Sequence, residues 1–199
     1  MKLLLHALNE ASSSLVVGYH CGRDIGRSGF SLEFVGSGEG FSALGPGIYF
    51  STSKEIAERY CKYGRDKHDK AYLYRVEIDG SGLWNNTTGK PAHLREGLEL
   101  LVASFGLQNP HRGVDTMRHG PGLVGAVFKH LGPKAGRAAL IKAGVTGSIQ
   151  LLEGQSEIAV YDLSILSHIH PTTISLPPQA PMDDYEDWDW EAEADALGN

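Results

Sequence analysis

Apolar and polar positions alternate in short runs separated by glycine, a pattern of strands and turns more than of long helices. Leu15 to Tyr19 alternates and predicts a strand ending at His20, with Gly18 allowing another backbone to come close. Ala71 to Ile78 alternates with period two and predicts another, closed by Gly80-Ser81-Gly82. Gly45-Pro46-Gly47 reads as a turn feeding the β-branched and aromatic run Ile48-Tyr49-Phe50. Thr52-Ser53-Lys54-Glu55 then reads as a capping box, with Thr52 as the cap and Glu55 reaching back. Ile56, Ala57, Tyr60 and Cys61 would share one face of the helix that follows. Helical spacing recurs at Leu94, Leu98, Leu101, Val102 and Phe105, over Leu123 to Leu131, and over Lys134 to Ala143 with Gly144 as C-cap. Gly144 to Gln150 turns into strand, Glu153-Gly154 is a turn, and Gln155 to Leu163 is a strand packing through Ile158, Val160 and Tyr161. Ile165 to Ile169 predicts the last short strand. These elements describe an α+β domain.

Two stretches break the pattern. Gly22 to Gly45 carries seven glycines among scattered apolar residues, too many for a long helix. It predicts a loop with a short ordered piece near Phe30 to Val35, of a length uncommon unless functional or disordered. After Pro171 the composition shifts. Pro177, Pro178 and Pro181 precede Asp183, Asp184, Glu186, Asp187, Asp189, Glu191, Glu193 and Asp195, eight acids with no base among them. The expected organisation is a folded domain over 1–174, with an insertion at about 84–136, and a Pro-rich linker and disordered acidic tail over 175–199.

The tail changes the meaning of the net charge. The formal charge is −6, from 24 acids against 18 Lys and Arg. Without the eight tail acids the body has 16 against 18 and is near +2. Trp188 and Trp190 among the acids suit a tail that folds back on the body, mimics nucleic acid or binds a partner, beside the plainer reading of a solvating tail. Arg112, Arg118, Lys129, Lys134, Arg137 and Lys142 form either a phosphate-meeting patch or an ordinary solvated face. No run reaches the ~20 apolar residues that cross a bilayer, so no membrane partner is expected. Met1 to His6 imitates a signal peptide for a few residues only and reads as mature protein. The two cysteines, Cys21 and Cys61, suggest neither a disulfide framework nor a metal site, which points to a reducing, cytoplasmic setting. The nine histidines show no His-x-x-x-His pair and no clustered cysteine partner, so no metal is expected; His168 and His170, two apart at a strand end, would be exposed.

Three stretches carry chemistry: Tyr19-His20-Cys21-Gly22-Arg23, Gly47-Ile48-Tyr49-Phe50 with Tyr60-Cys61, and Ser156-Glu157-Ile158-Ala159-Val160-Tyr161-Asp162. Each alone has a bland reading, as a hydrogen-bonded histidine, a core tyrosine pair and a solvated glutamate. In this order they resemble the three motifs of ADP-ribosyltransferases, and among those the diphtheria-toxin-like, poly(ADP-ribose)-polymerase-like class with a His–Tyr–Glu triad. The resemblance runs from about Val16 to Leu166. The segment from about Trp84 to Gly136 resembles nothing further.

The resemblance implies a fold of two small packed antiparallel or mixed β-sheets around an NAD cleft with flanking helices. It implies an enzyme that cleaves NAD⁺ as co-substrate, releases nicotinamide and transfers ADP-ribose. The catalytic residues would be Glu157, His20 and Tyr49. His20 would bind the adenosine-side ribose and the Cys21 backbone the nicotinamide amide. Tyr49 and Tyr60 would sandwich the ring, Glu157 would take the ribose hydroxyl, and Arg23 would meet the pyrophosphate. The loop after Gly22 would lie over bound NAD⁺. Two positions depart from the family. Cys21-Gly22 replaces the usual Gly-Ser or Gly-Thr, removing a hydroxyl from the amide, and Ala57 stands where a second amide contact, a serine, usually falls. Each loss is worth about 1 kcal/mol. Gln155, two before Glu157, is similar to the Gln/Glu-x-Glu pattern of the toxin branch that modifies side chains. The acceptor loop, about Lys142 to Ser156, is short, which favours transfer of a single unit to a protein or nucleic acid, as in compact bacterial or phage effectors and toxins. An NAD⁺ glycohydrolase, or an inactive binding module on the same fold, are the alternatives.

Overall fold

In the computed structural model the residues described are 15–26, 29–33, 35, 44–63, 70–86, 88–89, 91–106, 122–152 and 155–176. The strands are β1 (Leu15–Gly22), β2 (Ile48–Ser51), β3 (Lys70–Asp79), β4 (Leu83–Asn85), β5 (Gly147–Leu152), β6 (Gln155–Val160) and β7 (Leu166–Ser175). The helices are α1 (Lys54–Arg59), α2 (Ala92–Ala103) and α3 (Leu123–Lys142). The architecture is α+β. All seven strands join one mixed sheet in the order β4-β5-β6-β2-β1-β3-β7, antiparallel throughout except for the parallel β4–β5 pair. One continuous sheet therefore stands where two packed sheets were expected. The reason lies at its centre: β1 and β2 share a single register pair, Tyr19 with Ser51. Every other neighbouring pair shares three or more. The sheet is two halves, β4-β5-β6-β2 and β1-β3-β7, held edge to edge by one rung.

Period-two patterning sorts the side chains onto two faces. Ile48 and Phe50 of β2, Ile158 and Val160 of β6, and Tyr74, Val76 and Ile78 of β3 make one buried cluster. Ile25, Phe30, Leu32 and Val35 of the glycine-rich segment pack on it, without regular structure among its described residues. The opposite face carries α2 and α3 through Leu94, Leu98, Val102, Val124, Val127 and Leu140, against Ala159 and Tyr161. Gly18 lies where the halves meet. A Cβ there would sit 2.8 Å from Ile78 Cδ1 and 2.9 Å from Phe50 Cβ, so the close approach needs glycine.

Several boundaries differ from the sequence pattern for local reasons. The cap of α1 is Ser53, whose Oγ accepts from Ile56 N. Thr52 is held by β6 instead: its N–H donates to the Ser156 carbonyl at 2.9 Å and its Oγ1 accepts from Ser156 N at 2.9 Å. The two expected helices after Leu123 form one kinked element, with Gly132 at φ 76° just before Pro133. Its end is a Schellman motif: Gly144 N bonds Ile141 O and Val145 N bonds Leu140 O, each at 2.9 Å. Strand β7 runs through Pro171 to Ser175, beyond the expected end at Ile169, because an edge strand tolerates a missing N–H. The acidic tail from 177 on, the start of the chain, and Arg112 and Arg118 lie outside the described residues. Lys129, Lys134 and Lys142 are exposed on α3, whereas Arg137 is half-buried and its Nη1 donates to the Pro46 carbonyl at 3.4 Å. Arg137 thus braces a turn.

The cysteines overturn an expectation. Cys21 and Cys61 form a disulfide, buried among Ala57, Ala71 and Leu73, that ties the end of β1 to the turn after α1. A disulfide is a product of oxidising surroundings, so the cysteine-based argument for a reducing compartment does not hold. Nothing in the spacing of two cysteines 40 residues apart shows that β1 and α1 lie side by side. No described helix is long and apolar enough to cross a membrane.

Closing a loop of this length removes unfolded-state entropy worth about 4 kcal/mol, so reduction is expected to lower the melting temperature by roughly 10 °C. Thermal unfolding with and without dithiothreitol, beside the Cys61→Ser variant, measures this. An unchanged midpoint on full reduction, with both thiols alkylated, refutes a stabilising cross-link.

Candidate functional site

The site forms where the ladder between β1 and β2 stops. Beyond the Tyr19–Ser51 rung the Tyr49 carbonyl has no partner on β1, and the His20 side chain supplies one: Nδ1 lies 2.8 Å from Tyr49 O. A carbonyl only accepts, so Nδ1 carries the proton. Burial holds the His20 imidazole below its usual range, partly offset by that hydrogen bond, and the ring is neutral at pH 7. In the neutral ring Nε2 is an acceptor, available to a hydroxyl. Gly22 keeps it open, since a Cβ at that position would lie 2.9 Å from Nε2. The ring is fixed by aromatic neighbours: Phe30 edge-on at 5.4 Å, Phe50 at 5.7 Å and Tyr74 at 6.4 Å.

Tyr49 points to the opposite face, beside the α2–α3 cluster. Its hydroxyl accepts from Leu44 N at 2.8 Å and donates to the Gly45 carbonyl at 2.9 Å. The Tyr161 hydroxyl, fully buried, donates to the Leu44 carbonyl and shares a 2.8 Å hydrogen bond with Ser148 Oγ. Two phenols therefore hold the turn before β2. Tyr49 is a pinned ring, part structural and part wall. Tyr60, just after α1, is 57% exposed, and its neighbour Cys61 is fully buried in the disulfide. Ala57 is buried against that disulfide and offers only a methyl group. Arg23 is exposed, and its carbonyl accepts from the Tyr74 hydroxyl at 3.0 Å.

Glu157 is placed by register. It pairs with Ser51 on β2 and Gln150 on β5, so Tyr19, Ser51, Glu157 and Gln150 form one row across four strands. Opposed residues in a ladder share a face, and Tyr49 is two residues from Ser51 on that face. At about 4.8 Å per strand, the backbones of β1 and β6 are about 10 Å apart across β2. Glu157 is half-buried, and among the described residues no cation or hydrogen-bond donor meets its carboxylate. Burial pushes its carboxyl above the ordinary range. The Tyr49 phenol is also pushed up, by burial foremost and then by the Glu157 charge, an electrostatic sign that the two groups are near each other.

The structure thus brings Tyr49 and Glu157 together on one face. It sets His20 at the seam between the halves, with its ring toward the other face, bonded to the backbone of Tyr49. Two residues had no separate signal in the sequence. Ser51 accepts from Ser53 N at 3.0 Å and donates to Gln155 Oε1 at 2.8 Å, holding Gln155 close to Glu157. Gln150 stands beside Glu157 on β5. Only the strand register, which a single sequence does not print, picks them out. On one face a pinned aromatic ring and an unpaired carboxylate suit a flat cationic ring that carries a hydroxyl, and at the seam the neutral imidazole offers a separate acceptor. No described group of three or more His, Cys, Asp or Glu is placed to hold a metal ion. Among known proteins, no family model, no curated protein and no solved structure matches the chain.

His20 has a seam role and a ligand role, and two variants separate them. An asparagine keeps a donor near the Nδ1 position and has nothing at Nε2. His20→Ala is expected to cost about 1–3 kcal/mol by leaving the Tyr49 carbonyl unpaired, and His20→Asn less than half of that. Denaturant unfolding reads the difference. Equal stability of the two variants would remove the seam role. Because the folded His20 titrates below its unfolded value, stability should also fall as pH drops below about 6.5, and that slope should vanish in His20→Asn.

Proposed function

We propose that the chain is a mono-ADP-ribosyltransferase of the His–Tyr–Glu class, built on the ADP-ribosyltransferase fold. It would take NAD⁺ as co-substrate and transfer ADP-ribose to a macromolecular acceptor, protein or nucleic acid. The observation that carries this reading is the register row that sets Glu157 on the Tyr49 face, one strand from Tyr49, with His20 bonded to the same strand from the far side. The three motifs lie far apart in sequence. Their meeting around β2 is what the reaction requires of them.

The chemistry follows from the groups. The bond between the nicotinamide nitrogen and the ribose anomeric carbon breaks, and its electron pair goes to the nitrogen, which leaves neutral. The sugar becomes oxocarbenium-like, as in glycoside cleavage. An acceptor nucleophile then bonds to that carbon and gives up a proton. Tyr49 and Tyr60 offer aromatic faces to the cationic ring. Glu157, ionised and half out of water, faces the growing positive charge and takes a ribose hydroxyl proton in a hydrogen bond. His20 Nε2 accepts from the second ribose. The Cys21–Cys61 disulfide joins the strand whose backbone would hold the amide to the turn bearing Tyr60. A covalent tie would thus offset the hydroxyls missing at Gly22 and Ala57.

The test is nicotinamide release from NAD⁺ by the purified protein, with labelled NAD⁺ and lysate supplying acceptors. Glu157→Gln is expected to lower kcat by about 10²–10³, and Glu96→Gln, on the exposed side of α2, to leave it unchanged. The acid limb of the rate profile should have its midpoint above 4.5, because burial raises the Glu157 carboxyl. Burial of that charge also costs stability above the unfolded pKa and none where both states are protonated. Glu157→Gln should therefore melt higher at pH 7, with the gain gone near pH 3. No release by the wild type, with or without acceptor, overturns the proposal; release with no labelled acceptor makes the protein a glycohydrolase.

A further inference from the structure

Gln150 is buried to about nine-tenths, at 9% exposure, and its side chain shares the face of Glu157, its direct partner across the β5–β6 ladder. Side chains opposed in this way have Cβ atoms about 5 Å apart. Ser148, two residues earlier on the same face, is satisfied by Tyr161. The Gln150 carboxamide meets no hydrogen-bond partner among the described residues. Its amide is not among the fully buried unpartnered groups, which are on Trp84, Asn86, Thr88 and Thr146, so it keeps an opening to solvent on this face. A methionine would fill the same space without offering a polar group to that opening. The placement needs a reason, and its neighbour suggests one.

A carboxylate only accepts, whereas a carboxamide both donates and accepts. Adjacent hydroxyls on a sugar each carry one proton and two lone pairs, so a carboxylate alone leaves the second hydroxyl half satisfied. A carboxylate with a carboxamide about 5 Å from it can take both. The face runs in order from Tyr49 on β2, through Glu157 on β6, to Gln150 on β5. A ring over Tyr49 with its sugar over Glu157 carries the far hydroxyl toward Gln150.

We propose that Gln150 is a substrate-positioning residue that, with Glu157, grips the cis-diol of the nicotinamide-side ribose. The inference rests on the transferase reading, but its diol site is tested by binding as well as by turnover. The experiment compares wild type, Gln150→Met and Gln150→Asn in nicotinamide release. Calorimetry with ADP-ribose and with nicotinamide alone is run on each protein. Gln150→Met is expected to raise KM for NAD⁺ roughly tenfold, with kcat changed less than threefold and an unchanged or higher melting temperature. ADP-ribose should weaken by a similar factor and nicotinamide should not. Gln150→Asn should recover part of the loss. A purely structural glutamine would instead lower the melting temperature and leave KM alone, which would overturn the proposal. The two failures separate. Turnover by wild type with KM unmoved in Gln150→Met removes the role of Gln150 and keeps the reaction. No turnover, but ADP-ribose binding weakened by Gln150→Met, removes the reaction and keeps the diol site. No ADP-ribose binding by the wild type removes the diol site.

Discussion

The hydrogen bond from the His20 imidazole to the Tyr49 carbonyl is the constraint around which the molecule is arranged. A seven-stranded sheet would ordinarily run its ladder without a break. Here the central neighbours share one rung, and a side chain replaces the next backbone donor. The replacement matters because a ladder bond satisfies two backbones and does nothing else. An imidazole satisfies one carbonyl through Nδ1 and keeps Nε2 for something outside the chain. The seam that weakens the sheet is also where the proposed site lies.

Such a seam has to be closed by other means, and the structure supplies three. On one side Gly18 lets the cores of the two halves touch, with Phe50 and Ile78 packed against it. On the other, the Cys21–Cys61 disulfide crosses from the last turn of β1 to the segment after α1. Across the turn before β2, Tyr49 and Tyr161 hold Leu44 and Gly45 by their hydroxyls, and Arg137 reaches the Pro46 carbonyl from α3. Each of these fastens a residue of the proposed site or its immediate neighbour. Rigidity is concentrated where a ligand would need pre-formed geometry.

Much of this was legible from pattern. The strands around Gly18, Tyr74 and Ile158 announce themselves by alternation, and the close approach at Gly18 follows from a glycine amid branched residues. Gly144 as a helix cap and the exposure of His168 and His170 follow from local chemistry. What could not be read depends on register or on contacts between distant segments. Thr52 looks like a cap and is tied to β6 instead, because Ser156, 104 residues away, takes both its groups. Three-residue β4 is too short to show a period. Cys21 and Cys61 look unpaired until α1 folds against β1. Gln150 is a polar residue in an apolar strand until β6 sets Glu157 next to it.

The same distinction bears on what kind of site this is. Residues chosen by pattern, Ile158, Val76 and Leu98 among them, are explained by burial alone. Glu157 is not: it sits half-buried in a ladder, pushed toward its neutral form, with no described cation to offset the cost. Beside it Gln150, 9% exposed, brings an amide with no described partner to the same face. One unpartnered polar group in a core is an accident that folding tolerates. Two, directly opposed across adjacent strands and on the face of a pinned aromatic ring, make a polar surface that stability alone would replace with apolar side chains. That pairing is the physical ground on which the proposed ligand site rests: a ligand there would complete hydrogen bonds that these two side chains leave open among the described residues.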